Sequence, residues 1–338
     1  ICYSNKNFYP LTTKNIKYFI TGGAGFIGAH LTNFLLDHTV SEITIYDNFC
    51  NGRLYPLGDK VNEKRLEIIN GDVKDLGRLT NSIKGHDVVY HFASNADIAA
   101  AANDPTIDFW NGTYLSHNVL EAMRKNKIKK ILFTSGSGVY GEVPNFPIAE
   151  NYDEMIPIST YGSCKLSSES LISAYSHMFD ITGIVVRFAN VVGPQQTHGV
   201  AYDFIRRLSY DPTQLKIFGD GNQSKPYIQI SDILEALKIL ELKLNSGYNV
   251  FNVGSSDTIT VKEIADLIVN KMNLENVKYN FTGGTRGWKA DVPNYKLNTS
   301  KIRDLGWENK LNSYKAVEDA IESILIDVKK GNIKSSAF

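Results

Sequence analysis

Thr21-Gly22-Gly23-Ala24-Gly25-Phe26-Ile27-Gly28 (TGGAGFIG, residues 21–28) decides the fold. The stretch follows an apolar run, IKYFITG (16–22), that reads as a buried strand, and it opens an amphipathic segment, 26–37, that reads as a helix. Glycines at 22, 25 and 28 fit GxxGxxG, and those at 23, 25 and 28 also satisfy GxGxxG. Glycine permits a tight turn and a close backbone approach, and the helix N-terminus behind it receives an anion. Glycines are common in turns, so the spacing alone is weak. Placed between a strand and a helix, it predicts a dinucleotide site.

Working outward, the same alternation continues. EITIYD (42–47), LEIINGD (66–72), DVVYHFA (87–93), KKILFTS (129–135) and GIVVRFA (183–189) read as further strands. Amphipathic stretches at 26–37, 75–84, 106–126 and 160–179 lie between them. Strand–helix alternation predicts an α/β fold of Rossmann type, a doubly wound parallel sheet with helices on both faces. The last third is richer in loops and aromatics and ends in an amphipathic helix near 313–329, which predicts a smaller, interleaved C-terminal substrate lobe. We expect residues 15–190 to form the dinucleotide domain, with 226–253 returning to it. Residues 191–225 and 254–330 form the lobe, and 1–14 an N-terminal arm.

Bulk properties narrow the function. A chain of 338 residues can bury a sizeable core without metals or disulfides. Lys plus Arg equals Asp plus Glu, 36 each, which argues against a nucleic-acid partner. Cys2, Cys50 and Cys164 match no zinc or redox spacing and read as free thiols in a reducing compartment. No apolar run approaches the ~18 residues of a membrane helix, and the first residues lack the apolar core of a signal peptide. The expectation is a cytoplasmic protein that engages no membrane and holds no metal.

Two chemical signals stand out. The second strand ends at Asp47, whose carboxylate can bond ribose hydroxyls and repel a 2′-phosphate, which favours NAD over NADP. Asp72, with Val73, ends the third strand; it can reach an adenine edge or cap the next helix. Tyr161-Gly162-Ser163-Cys164-Lys165 places a phenol and an ammonium one helical turn apart. A lysine cation lowers a tyrosine pKa from its usual ~10, so the pair suits a general base for an alcohol beside a nicotinamide. FTSGSGVYGE (133–142) ends the fifth strand in two hydroxyls, Ser135 and Ser137, set among glycines.

Together these pieces resemble the extended short-chain dehydrogenase/reductase superfamily, in its NAD-dependent nucleotide-sugar epimerase/dehydratase branch, typified by UDP-glucose 4-epimerase. The resemblance spans roughly residues 15–330. It rests on TGGAGFIG, the YDN of 46–48, GD at 71–72, HFAS (91–94), SGSGVYGE (135–142), YGSCK (161–165), RFANVVGP (187–194), FGDGNQSKPYI (218–228) and GGTRGWKADVP (283–293). It implies cofactor contacts from Gly22, Gly25, Phe26, Ile27, Gly28, Asp47, Asn48, Asp72, Val73, Phe92, Ala93, Ser94, Tyr161 and Lys165. It also implies a mechanism: Tyr161 takes a proton from a sugar hydroxyl, hydride passes to NAD, the 4-keto sugar turns, and hydride returns to its other face.

In that family a relay hydroxyl sits most often four residues before the tyrosine of VYG. Here that position is Gly136, so Ser135 and Ser137 are the candidates, with Ser137 preferred. Relatives that dehydrate or decarboxylate the sugar place acids just after this hydroxyl, and Gly136-Ser137-Gly138 carries none. The expectation is C4 epimerisation of a UDP-hexose. The alternatives are a 4,6-dehydratase, a decarboxylase or a dehydrogenase of the same family, or a non-enzymatic NAD(P)-sensing or RNA-associated member. On the substrate side the resemblance points to Asn190, Lys225 and Arg286 for the diphosphate and to Asp291 for a ribose. Lys225-Pro226 stands where the family usually has Arg-Asp, and a lysine cannot form the bidentate fork. His198 reads as a solvated loop residue, and Trp288 as a base stack or a packing residue. The resemblance favours a homodimer through a helix pair including 106–126 and 160–179.

Overall fold

The structure is a computed structural model that describes residues 15–95, 100–143 and 147–333. The expected arm, 1–14, and Cys2 lie outside the described residues.

Six of the predicted strands form as β1 (Lys17–Thr21), β2 (Glu42–Asp47), β3 (Leu66–Asn70), β4 (Val88–His91), β5 (Lys130–Gly136) and β6 (Thr182–Phe188). A seventh, Tyr248–Val253, pairs with β6. The sheet runs in the order seventh strand, β6, β5, β4, β1, β2, β3, and every pairing is parallel. The chain winds outward from β1 through β2 and β3, then returns to start again at β4. The carboxyl ends of β1 and β4 therefore bound the crevice where an open α/β sheet binds ligands.

Both faces of the sheet are covered. Along β1, Tyr18 and Ile20 join one apolar core with Leu31, Leu35 and Ile184, whereas Phe19 joins a second with Val89, Val119 and Ile131. This period of two explains why these strands read as continuous apolar runs rather than alternating ones. The buried Glu241 is satisfied by the phenols of Tyr18 (2.9 Å) and Tyr90 (2.7 Å) and by Lys238 (3.0 Å). A third core draws on Val192, Phe204, Ile217, Ile264, Leu267, Ile321 and Ile324, beyond β6 in sequence. The helix Ser313–Lys329 closes it.

Helix α1 (Phe26–His38) follows the glycine turn, and α2 (Leu76–Ser82) is capped by Asp75, which accepts from the Arg78 amide. The stretch 106–126, read as one amphipathic segment, is broken. A π-helical turn at Phe109–Thr113 separates Thr106–Asp108 from the helix Tyr114–Asn126. The break frees the Asn111 carbonyl, which accepts from the Asn95 amide at 2.8 Å. That bond ties the loop after β4 to the helix layer.

Candidate active site

Gly22 shows why the opening motif needs its glycines. Its φ is +68°, and a Cβ there would lie 2.6 Å from the Ala93 backbone nitrogen. The turn thus presses against the chain leaving β4. Gly25 stands at the N-cap of α1 and supplies no side-chain cap, so the first amides of α1 are left for an anion.

A cavity of about 710 Å³ opens here along the carboxyl ends of the strands. Gly22, Gly25, Phe26, Ile27 and Gly28 line it, with Asp47, Asn48, Asp72, Val73, Phe92, Ala93 and Ser94. Every residue assigned to the cofactor from the sequence therefore lines one space. Asp47 is buried, and its two oxygens accept from the Ala24 amide (3.0 Å) and the Phe49 amide (2.8 Å). Burial pushes its carboxyl up, and these two bonds pull against that. Asp72 does not cap α2, a task Asp75 performs. It accepts from the Lys74 amide (2.8 Å) and from the Asn48 side chain (3.3 Å), which joins the ends of β2 and β3.

The catalytic end of the same cavity is built from β5 and the helix Thr160–Phe179. Ser159 caps this helix by accepting from the Gly162 amide. Gly162 lets it approach: a Cβ at 162 would stand 2.4 Å from the Gly138 carbonyl oxygen. The contact brings the two sides of the site together, because Ser137 and Tyr161 flank it in sequence. Lys165 is buried, and its Nζ donates to the Thr134 carbonyl oxygen of β5 at 2.8 Å. The same Nζ lies 5.6 Å from the centre of the Tyr161 ring. Burial pulls Lys165 down to about 8. Loss of water, with the Asp108 carboxylate second, pushes the Tyr161 phenol up to about 12. The expected lowering of Tyr161 by Lys165 is thus outweighed by burial within the chain alone.

The two serines part company. Ser135 is buried, and its hydroxyl donates to Glu169 at 2.5 Å. Glu169 is in turn held by Arg187 (Nη2 to Oε2, 2.6 Å), and Arg187 also donates to the Tyr140 hydroxyl at 2.8 Å. Ser137 is only half-buried and lines the cavity with Tyr161 and Lys165.

Of the expected substrate residues, Asn190 lines this cavity, while Lys225, Arg286 and Asp291 meet one another beyond it. Lys225 pairs with Asp291, Arg286 pairs with Glu142, and Arg286 donates to the Asp291 carbonyl oxygen at 2.8 Å. Arg286 lines a second cavity of about 510 Å³, with Ser224 and Tyr295. His198 is exposed at the rim of the first cavity, and Trp288 is 40% exposed. Tyr295 escaped the sequence reading, which followed GGTRGWKADVP only as far as Pro293. It reaches the site because Ser224 pairs with Asn294 and Ile148 with Leu297, contacts made only in the folded chain.

The sequence matches the model of the NAD dependent epimerase/dehydratase family over residues 18–254. The chain belongs to that family. It is 29% identical over 320 residues to a putative UDP-glucose 4-epimerase of Methanocaldococcus jannaschii, covering 93% of this chain and 98% of that one. A crystal structure of a UDP-galactose 4-epimerase superposes with a TM-score of 0.81 at 31% identity, covering 93% of this chain and all of the other. A UDP-glucuronic acid 4-epimerase from Bacillus cereus, solved in complex with UDP-glucuronic acid and NAD, gives 0.83 at 25% identity, with 92% and 99% covered. NAD is the cofactor of this family and of this chain. The residues fit it: the Gly22 turn is a cradle that a Cβ would fill, and the amides of α1 face it uncapped. Among the described residues, no cluster of side chains could hold a metal, and no helix is long and apolar enough to cross a membrane.

Proposed function

We propose that the protein is an NAD-dependent epimerase that inverts C4 of a nucleotide sugar, with a UDP-hexose as substrate. The observation that carries this reading is the end of β5. Ser137 shares a cavity with Tyr161 and Lys165, and no carboxylate occurs from Ser135 to Gly138. Elimination of water or carbon dioxide from the sugar needs an extra acid or base beside C4, and this strand end supplies none.

Gly22, Gly25, Gly28 and the first amides of α1 hold the pyrophosphate, and Asp47 takes the ribose hydroxyls. When bound, NAD takes the hydrogen at C4 with its electron pair, gives it back to the opposite face, and adds a positive charge close to Tyr161. The chain supplies the proton chemistry. Tyr161, lowered from about 12 by that charge, accepts the proton of the C4 hydroxyl. Ser137 passes the proton between sugar and phenolate. Lys165, fixed by Thr134, keeps a positive group under the phenolate and against the nicotinamide ribose. Asn190, Lys225, Arg286 and Asp291 hold the nucleotide diphosphate end, so the 4-keto sugar can turn while its nucleotide stays anchored.

The test is a panel of UDP-, GDP-, CDP- and dTDP-sugars followed by NMR. C4 epimers form without added cofactor if the reading holds; a 4-keto-6-deoxy sugar, a decarboxylated sugar or stoichiometric NADH contradicts it. The homodimer expected from the resemblance, paired through 106–126 and 160–179, belongs to the same proposal, and a monomer mass by light scattering contradicts it.

A further inference from the structure

Tyr295 lies where two residues of the site meet. The Asn190 amide nitrogen donates to the Tyr295 hydroxyl at 3.3 Å, and the Ser137 hydroxyl is hydrogen-bonded to the same phenol. An amide nitrogen can only donate, so Asn190 occupies a lone pair on Tyr295 and leaves the phenolic proton for the Ser137 oxygen. A serine that accepts from one side has its own proton to give on the other. That other side is the cavity, which Ser137 shares with Tyr161 and Lys165. Burial pushes Tyr295 up to about 12, so it remains a donor throughout the neutral range.

We propose that Tyr295 is a positioning residue for the redox step: its phenol, aimed by Asn190, orients Ser137 as the proton relay between the sugar hydroxyl and Tyr161. Ser137 thereby replaces the hydroxyl that Gly136 lacks. In the oxidation the sugar hydroxyl proton passes to the Ser137 oxygen, and the proton of Ser137 passes to the Tyr161 oxygen. The C4 hydrogen leaves with its electron pair to bound NAD. Every transfer reverses in the reduction, and Tyr295 ends each half unchanged. The chain has room for the simpler arrangement. Gly136 has an extended backbone (φ −162°), and a Cβ there would meet nothing nearer than the Phe188 carbonyl oxygen at 4.0 Å. A hydroxyl can therefore be rebuilt at 136.

The inference deepens the epimerase reading and rests on it for its turnover arm. Tyr295→Phe lowers kcat about tenfold, with KM within about twofold and NAD content unchanged, the loss expected of one misplaced hydrogen bond in the transition state. Ser137→Ala costs more, and adding Tyr295→Phe to it costs little further, because the phenol has no hydroxyl left to aim. Gly136→Ser in the Ser137→Ala background recovers turnover. Unchanged kcat in Tyr295→Phe, a rise in KM alone, or losses that multiply in the double variant would overturn the proposal. If no sugar in the panel turns over, the epimerase reading fails on its own, and a titration decides the relay. In NAD-loaded protein, the phenolate absorbance of Tyr161 is read as the difference between wild type and Tyr161→Phe. Tyr295→Phe then raises the apparent pKa of Tyr161 by about half a unit, since a relay hydroxyl that has lost its own donor is a weaker donor to the phenolate. An unchanged pKa contradicts the coupling.

Discussion

The hydroxyl of Ser135 donates to Glu169, whose carboxylate is clamped by Arg187 with both side chains almost fully buried. This bond separates two serines that are indistinguishable in the sequence. Ser135 belongs to a network that ties β5 to the helix behind it, and Ser137 is left facing the cavity. Ser135→Ala is therefore expected to lower stability by about 1–2 kcal/mol with a small effect on kcat. Ser137→Ala is expected to lower kcat by about 10²-fold with little effect on stability. Steady-state rates and denaturant midpoints of the two variants, measured side by side, check the assignment; a reversed pattern refutes it.

The same network makes a stability prediction. Arg187→Met strands Glu169 as an uncompensated buried carboxylate, and losing one partner of such a pair costs about 3–5 kcal/mol. Replacing both, with Glu169→Leu and Arg187→Met, removes the stranded charge and recovers most of that loss. Urea unfolding of the single and double variants reads the difference. Equal destabilisation of the two would show that the pair is not the source.

His91 gives the protein a predictable acid weakness. It is buried, with Nδ1 against the Thr21 hydroxyl (2.7 Å) and Nε2 against the Ser116 hydroxyl (3.1 Å). Burial, and then the charge on Lys165, pull it down to about 3, against ~6.5 in an unfolded chain. Between those values the unfolded state binds the extra proton. Stability contributed by the neutral imidazole is therefore complete above about pH 6.5 and is lost as pH falls towards 3, at about 1.4 kcal/mol per unit. From pH 6.5 to pH 5 the wild type is expected to lose ~2 kcal/mol more than His91→Asn. Parallel losses would remove His91 as the cause.

The diphosphate grip is engaged with acids of the protein itself. Arg286 pairs with Glu142 across 144 residues of chain, and both side chains are substantially exposed. An exposed pair is worth about 0–1 kcal/mol, so Glu142→Gln should lower KM for the nucleotide sugar by at most about fivefold. Arg286→Ala should raise KM with a smaller change in kcat. Initial rates over a range of sugar concentrations separate the two. An unaltered KM in Arg286→Ala takes that residue out of the substrate site.

Much of this was legible in the sequence because its signals are local. TGGAGFIG sits between a strand and a helix within one short segment, and Tyr161 and Lys165 are one turn apart, so fold and cofactor side follow from short-range geometry. The π-helical turn at Phe109–Thr113 was not legible, because a run of suitable residues does not show where a loop amide such as that of Asn95 will claim a carbonyl. Nor was the difference between Ser135 and Ser137, which depends on Glu169 and Arg187 arriving from two other elements. Tyr295 was hidden for the same reason: it lies 158 residues after Ser137 in the chain, and only the pairing of Asn294 with Ser224 carries it to the site.

The central claim is that Tyr161 is the base of a redox cycle that regenerates its own NAD. Wild type and Tyr161→Phe, both loaded with NAD, are incubated with UDP-glucose and UDP-galactose and followed by NMR and nicotinamide absorbance. The account predicts interconversion of the C4 epimers by the wild type with no accumulation of NADH. It also predicts a loss of about 10²–10⁴-fold in Tyr161→Phe, whose NAD content stays the same. Equal rates in the two proteins, or one NADH released for every sugar consumed, would contradict it.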